Sequence, residues 1–451
     1  MIQGYLIYFI LLIIGLWITG LIISGDIFSP VSIFCLVFLF SSFCALYSTA
    51  KWNFSMSYET FRVLSLGVVS FFIPSVLFHA KMRNKRNLLL ELSENDADDE
   101  NLFSPQCKLV EISRNKAIFT IFTFVVCTAV YFYFLSRAVG GGISLSRIAS
   151  AYRTELVSGE TQISFVGRLM ILIIRAIANV LVCIVINNIL SSRNVGNHSI
   201  TLIICCVGYI AITILSGERT SALRFIGIIV LSFSVLWQRN TFFKRLVNIK
   251  YIILSVLGVM LLLYAFSAIR YFVGRNSQLD VFDYISMYAG GPIYSFDRFI
   301  NSNIQPTFTG TKTFVGLYNN LARLGFGELL SIHRDTVIIQ NLSIYIGNVY
   351  TCFYDYYMDY GLVGMIILIM SYSCIVNGLY MRAKFAERNA LIKTIEYTFF
   401  STTLFFASFT EQFFTSYITI STIEFLIILR ITYYYLISTS IGFLKFEIPR
   451  E

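Results

Sequence analysis

Long apolar runs separated by short polar segments dominate the pattern along this chain. A helix needs about 20 predominantly apolar residues to cross a bilayer. The pattern therefore predicts an all-α polytopic membrane protein, a single integral membrane domain over 1–451 with about eleven (10–13) transmembrane helices. The candidate spans are 3–23, 30–49, 62–80, 117–136, 164–190, 199–216, 221–237, 250–268, 361–381, 394–410 and 417–437.

Composition supports the same fold class. Of 451 residues, 57% are hydrophobic and 13% are charged, whereas about a quarter of a soluble domain is charged. Lipid accepts apolar side chains on the outside of a helical bundle, so a set of soluble domains is excluded. The first run lacks a basic region before it and a small-residue cleavage site after it, which predicts a retained helix.

Positive charge predicts the orientation of the spans. Lys and Arg cluster together in 81–116, 238–250, 382–393 and the tail with Lys445 and Arg450. The span count places all four on one side, which the positive-inside rule makes the cytoplasm. We therefore read the net charge of +9 as topology and expect no nucleic-acid partner. The acidic stretch 91–101 is expected to be solvated and without chemistry.

Two longer segments, 137–163 and 269–360, face the opposite side and leave room for an external site. Their side of the membrane carries almost only arginine, with Lys51 and Lys312 as the exceptions. Guanidinium groups suit bidentate contact with phosphate or carboxylate, so this face is expected to hold an anionic ligand. The arginines are Arg137, Arg147, Arg153, Arg219, Arg270, Arg275, Arg298, Arg323 and Arg334.

The sharpest local feature is SGERTSALR, Ser216 to Arg224, a turn between two apolar runs. A helix that begins near Thr220 offers free N–H groups and a positive dipole end. Arg219, with Glu218 beside it, and Arg224 are therefore expected to grip a pyrophosphate at that helix start. Arg224 lies about one turn into a span, where a charge is costly unless paired or hydrated. The alternative is that Arg219 simply snorkels to the interface.

Further arginines border the predicted spans. Arg270 and Arg275 directly follow 250–268 and either close the same pocket or anchor a helix end. Gly140–Gly142 interrupts the chain after the fourth span, and the spacing that follows predicts a short interfacial helix that presents Arg147 and Arg153.

The segment Tyr345–Gly364 leads into the ninth span. Asp355 and Asp359 are four residues apart and so share a helical face; Asn348 and Thr351 precede them. A carboxylate at a membrane edge among aromatic residues is a candidate general base with a raised pKa. It is equally a candidate partner that holds an arginine in place.

Three more polar residues face the outer side. His333 lies in the long outer segment, and Glu411 with Gln412 forms an outer turn that is expected to face the same cavity. The sequence shows no phosphate-binding glycine loop, zinc-ligand spacing or Ser-His-Asp pattern, so no cofactor and no metal are expected. The nine cysteines fall mostly in apolar runs and predict no disulfide framework.

The order of these parts resembles the O-antigen polymerase (Wzy) family, which polymerises oligosaccharide repeat units in bacteria. The resemblance rests on the number of spans, the turn SGERTSALR, the long outer segment before the last three spans, and the closing NVYTCFYDYYMDYGLVG. Together these features cover most of the chain.

The resemblance implies a metal-independent glycosyltransferase of the bacterial inner membrane that acts at the periplasmic face. Such an enzyme moves a growing glycan from undecaprenyl diphosphate onto a new lipid-linked repeat unit, with a chain-length regulator of the Wzz type as a possible partner. Arg219, Arg224 and Arg270 are then expected on the diphosphates, and Asp359 or Glu218 at the acceptor hydroxyl. Further diphosphate-binding residues are expected to be Arg275, Arg147 and Arg153.

Two other functions stay open. An O-antigen ligase resembles this chain in its outer loop and final Gly-x-x-Gly, but its closing motif has His directly before Asn, where this chain has Gly347. A lipid-linked oligosaccharide flippase or other transporter would have short loops and charges buried in mid-span. A scaffolding protein would not need an arginine-rich outer face.

Overall fold

A computed structural model describes most of the chain, and eight helices within the described residues are long and apolar enough to cross a membrane. The structure thus supports a polytopic helical membrane protein. The described residues are 4–95, 109–138, 164–191, 199–216, 219–241, 281–302, 304–330, 337–339, 344–386 and 389–437. The helices and strands are α1 (Gly4–Ser24), α2 (Pro30–Trp52), α3 (Tyr58–Asn95), α4 (Arg114–Ala138), α5 (Phe165–Ser191), α6 (Ser199–Leu215), α7 (Arg219–Asn240), α8 (Val281–Asn301), α9 (Val315–Arg323), β1 (Val337–Ile339), β2 (Ile344–Gly347), α10 (Phe353–Lys384), α11 (Ala390–Ser401) and α12 (Ile420–Ile437).

Eight predicted spans correspond to α1–α5, α7, α10 and α12. The predicted span 199–216 is the 17-residue helix α6, and 250–268 lies outside the described residues. α2 shows why such helices begin where they do. Pro30 occupies its first turn, and the Ser29 hydroxyl accepts a hydrogen bond from the Ser32 N–H, which satisfies a donor that has no helical partner.

The predicted span 394–410 is not one continuous α-helix. α11 ends at Ser401, and a 3₁₀ turn, Thr402–Phe406, follows it. Thr402 and Thr403 each donate a hydroxyl hydrogen bond to the carbonyl three residues earlier, at 2.8 and 2.7 Å. Such bonds compete with the regular helical pattern, so the apolar run does not continue as one α-helix.

The predicted loops also contain more helix than the hydrophobic pattern indicated. The segment 81–116 begins inside α3, which continues to Asn95. The long segment 269–360 contains α8, the short helix α9 and an antiparallel hairpin of β1 and β2. The other long segment lies outside the described residues between 139 and 163.

α8 is held by its contact with α2. Gly290 lies so close to the α2 backbone that an added Cβ would be 2.5 Å from the Ala45 nitrogen. Ser41 donates to the Ala289 carbonyl at 2.6 Å, and the Lys51 ammonium lies 2.5 Å from the Asp283 carboxylate. The hydrophobic pattern does not predict α8, because the helix contains charged residues and a central Gly-Gly-Pro. Packing against α2 stabilises it where local helix propensity does not.

The chain divides into two compact units. Unit 1 comprises Met1–Gln106 and Leu223–Ile423; in it α3 packs along α10, α1 along α2 and α3, and α11 along α10. Stacked aromatic rings fill the centre of unit 1, with Phe34 on Phe71 at 4.0 Å between centroids. A polar seam joins α3 to α10, where Asn377 donates to the Ser75 hydroxyl at 2.8 Å, a common device between membrane helices.

Unit 2 comprises Cys107–Ala222 and Glu424–Glu451. In it α4, α5 and α6 pack against one another. Asn188 ties the segment before α4 to the end of α5, since its amide exchanges two hydrogen bonds, each 2.9 Å long, with the backbone of Val110.

Three of the basic stretches meet at one end of unit 1. Lys81 of α3 lines the same cavity as Arg382 and Lys393, and the buried Arg239 of α7 donates to the Ala383 carbonyl at 3.1 Å. This agrees with the prediction that these stretches share one side of the membrane.

Candidate functional site

The predicted helix start near Thr220 is confirmed, because α7 begins at Arg219. Arg224 lies in the second turn of α7 and is partly exposed. Its Nε and Nη2 both donate to Gln412 Oε1, at 3.2 and 2.7 Å. Its guanidinium carbon also lies 5.2 Å from the centre of the Tyr417 ring, a cation–π distance. Arg224 is therefore held in one orientation while part of it reaches solvent.

Glu411, next to Gln412 in the turn before α12, is buried. Its Oε1 accepts from the Tyr356 hydroxyl and the Phe414 N–H, both at 2.8 Å, and its Oε2 accepts from the Thr415 N–H at 2.8 Å. Glu411 lies outside the eight candidate spans. Burial and then the nearby charge of Asp355 raise its pKa to about 7, against the lowering effect of its hydrogen bonds. Glu411 is thus a carboxyl group poised to exchange a proton near neutral pH.

The start of α10 brings Asp355 and Tyr356 to this turn. Both side chains are buried, and the Cys352 N–H donates to the Ala407 carbonyl at 2.8 Å, which joins the helix start to the turn. Thr351 is buried beside them, and Asn348, further back along the chain, is exposed. The structure therefore collects two carboxyl groups and a phenol close to the residues that orient Arg224.

Asp359 lies one turn further along α10 and is fully buried. Its Oδ2 accepts from the Lys312 N–H at 3.0 Å and the Thr313 N–H at 2.6 Å. Backbone amides of the outer segment thus hold this carboxylate. The geometry favours a role for Asp359 in positioning the segment.

A break in α10 allows this docking. Gly361 adopts φ +65°, in the left-handed region that favours glycine. The break leaves the Met358 carbonyl to accept from the Thr307 N–H at 2.8 Å. Together with the two amides on Asp359, this bond fixes residues 307–313 against the start of α10.

The other predicted site residues are not placed by the structure. Arg219 is the first residue of α7, and its side chain lies outside the described part of the chain. The remaining predicted residues outside the described ranges are Glu218, Arg270, Arg275, Arg147, Arg153 and His333.

Sequence patterns did not predict two residues of the acid cluster, which we define as Arg224, Asp355, Tyr356, Glu411, Gln412 and Tyr417. Tyr356 is one of five tyrosines between 350 and 360, so no local signal distinguishes it. Tyr417 ends a π-helical turn, Phe413–Tyr417, and such turns are frequent at functional sites. Only the fold shows that Tyr356 meets Glu411 and that Tyr417 underlies Arg224.

The side chains of this cluster are suited to bind an anion at Arg224 and to carry a proton at Glu411. A preoriented guanidinium stabilises developing phosphate charge, and Glu411 with Tyr356 supplies a hydrogen-bonded acid pair. Among the described residues, no group of three or more His, Cys, Asp and Glu side chains is arranged to hold a metal ion.

The sequence matches no protein-family model, and neither curated proteins nor solved structures show a significant similarity to it.

Proposed function

We propose that this protein polymerises undecaprenyl-diphosphate-linked oligosaccharide repeat units at the periplasmic face of a bacterial inner membrane, as its resemblance to the O-antigen polymerase family implies. The observation that carries the proposal is Arg224, partly exposed at the start of α7 and oriented by Gln412. A lipid diphosphate that leaves during glycan transfer needs such a fixed cation, because charge develops on it in the transition state.

The neighbouring acid cluster supports the second half of the reaction. The acceptor hydroxyl loses its proton as the new glycosidic bond forms, and the diphosphate departs with the electron pair of the broken bond. A carboxyl group with a pKa of about 7, as at Glu411, is suited to exchange that proton near neutral pH. Diphosphate oxygens are weak bases, so their departure requires no strong general acid.

Of the two carboxylates predicted at the acceptor, the described residues include only Asp359. Asp359 is engaged by the Lys312 and Thr313 amides, so we assign it to positioning the outer segment. Glu218 remains the predicted residue at the acceptor hydroxyl. The predicted diphosphate-binding residues of the same face remain Arg219, Arg270, Arg275, Arg147 and Arg153. A Wzz-type chain-length regulator remains a proposed partner.

The test is the surface polysaccharide ladder of cells that lack the gene, complemented with variants. We expect deletion to leave a core that bears a single repeat unit, and Arg224→Ala to fail to restore long chains. Arg224→Lys should restore them poorly, because an ammonium cannot reproduce the guanidinium fork. Arg62→Ala is the matched control, since Arg62 is an exposed arginine paired with Glu59. Full restoration by Arg224→Ala would contradict the proposal.

A flippase for lipid-linked oligosaccharides is the second candidate. A buried ion pair favours it, since Lys384 Nζ lies 3.7 Å from Asp26 Oδ2 and 2.9 Å from the Tyr380 hydroxyl. This cluster lies at the ends of its helices, whereas a transport pathway places charges at the bilayer midplane. Loss of every repeat unit from the core on deletion would favour the flippase or a ligase over a polymerase.

A further inference from the structure

A basic cavity lies at the end of unit 1 opposite the candidate site. Its volume is about 560 Å³, and three helices or their connections contribute to it. α10 is continuous from its break at Gly361 to its end, so at about 1.5 Å per residue the cavity lies roughly 30 Å from that break. Its main lining residues are Lys81, Lys85, Met381, Arg382, Phe385 and Lys393.

Every ionisable side chain that lines the described cavity is a cation. Within the described part of the chain, Lys81, Lys85, Arg382 and Lys393 form no ion pair. Like charges around a concave, partly apolar wall repel one another and focus a positive potential. Membrane topology explains why cations lie on this side, but it does not require cations from α3, α10 and α11 to surround one cavity.

The wall of the cavity is rigid. Arg239 is buried and donates to the carbonyls of Ala383, Lys384 and Ala386 at 3.1, 2.9 and 2.8 Å. These bonds satisfy carbonyls at the end of α10 that have no helical donor. The end of α10, with Arg382 and Phe385, is therefore fixed before any ligand arrives.

The position of the cavity relative to the membrane indicates the kind of ligand. α3 and α10 are candidate spans, and the basic residues that line the cavity follow the apolar stretch of each helix. This is the position in which positive charge meets lipid headgroups. Lys85 Nζ lies 5.9 Å from the centre of the Phe385 ring, which combines a cation with an apolar surface. Basic pockets between membrane helices bind anionic headgroups in this way.

We infer that this cavity binds a phosphate-bearing anion, either the headgroup of an anionic phospholipid or a free phosphate compound. Lys81, Lys85, Arg382 and Lys393 surround the phosphate, and Met381 with Phe385 contacts its apolar neighbour. The site is separate from the proposed diphosphate site around Arg224.

The test uses the purified full chain and compares the double variant Lys81→Gln/Arg382→Gln with the control Lys51→Gln/Arg62→Gln. The control removes the same charge, one lysine and one arginine, from exposed positions at the opposite end of unit 1. One arm measures retention of phosphatidylglycerol against phosphatidylcholine by native mass spectrometry. The other arm measures binding of inorganic pyrophosphate to detergent-solubilised protein by calorimetry, with all variants made in an Arg224→Ala background so that the proposed diphosphate site does not contribute.

We expect the wild type and the control to bind an anion that the cavity variant binds roughly tenfold or more weakly, because each basic residue near a membrane surface contributes about 1 kcal/mol. Selective loss of phosphatidylglycerol identifies a lipid headgroup, and loss of pyrophosphate binding identifies a soluble phosphate compound. Equal binding of both probes by the wild type, the cavity variant and the control overturns the inference. Single variants Lys81→Gln and Arg382→Gln serve if the double variant does not fold, and each should weaken binding by a smaller factor.

Discussion

The Tyr356 hydroxyl donates a 2.8 Å hydrogen bond to Glu411 Oε1, which joins the start of α10 to the turn before α12. Both side chains are buried. This contact places an ionisable carboxyl group next to Gln412, the residue that orients Arg224. It is the point at which the proposed proton chemistry and the proposed anion site meet.

Glu411 should make the stability of the protein depend on pH. Its folded-state pKa of about 7 lies above the ordinary value of 4.5, so the folded protein binds this proton more tightly than the unfolded chain. The contribution of this proton to the free energy of unfolding is fully present below about pH 4.5. It is lost as the pH rises through about 7, which lowers the free energy of unfolding by about 3 kcal/mol. The thermal unfolding midpoint in detergent should fall over this range.

Glu411→Gln should remove most of that pH dependence, because an amide does not titrate. The variant should also be less stable at acidic pH. The NH2 group of the new glutamine is a donor and would face the Thr415 N–H or the other donors, so one hydrogen bond is lost. Glu59→Gln is the control, since Glu59 is exposed and paired with Arg62. An unchanged pH slope in Glu411→Gln would rule out Glu411 as its source.

Arg224 and Gln412 should be energetically coupled. Hydrogen bonds to a charged group contribute about 1.5–3 kcal/mol, so Arg224→Ala and Gln412→Ala should each destabilise the fold. The double variant should be less destabilised than the sum of the two. Chemical denaturation of the four proteins measures the coupling, and strict additivity would show that the observed contact contributes nothing.

Asp359→Asn should loosen the outer segment. The carboxylate accepts N–H groups from Lys312 and Thr313, whereas an amide leaves one donor facing another or unsatisfied. We expect a loss of about 1–3 kcal/mol, with faster protease cleavage near residues 307–313. Restoration of long glycan chains by Asp359→Asn at reduced efficiency would indicate positioning. Complete loss of polymer from a fully folded variant would indicate a direct role at the acceptor.

Gly290→Ala should separate α2 from α8. The added Cβ would lie 2.5 Å from the Ala45 nitrogen, and overpacking against a backbone costs about 1–3 kcal/mol or more. Gly15→Ala is a matched control in α1, where an added Cβ meets no described atom within 4 Å. Its effect should stay within about 1 kcal/mol. Comparable thermal unfolding of the two variants would contradict the close contact.

Arg224, Glu411 and Gln412 show how far sequence reasoning reaches into the site. All three were predicted to face the outer side because each borders an apolar run, and the fold brings them together. The pattern did not identify Tyr356, because a tyrosine-rich stretch gives every member the same local signal. It also did not identify the Lys312 and Thr313 amides that hold Asp359, since backbone donors leave no trace in residue identity.

The sequence by itself determined the helical membrane class, the eight long apolar helices and the grouping of residues from three of the four basic stretches. Those properties depend on hydrophobicity and charge summed over about 20 residues, which local composition records directly. Only the tertiary structure decided that α8 packs on α2, that hydroxyl bonds divide 394–410, and that Tyr356 meets Glu411. These features depend on contacts between residues far apart in the chain, such as Gly290 against Ala45, where the close approach of two backbones outweighs local preference.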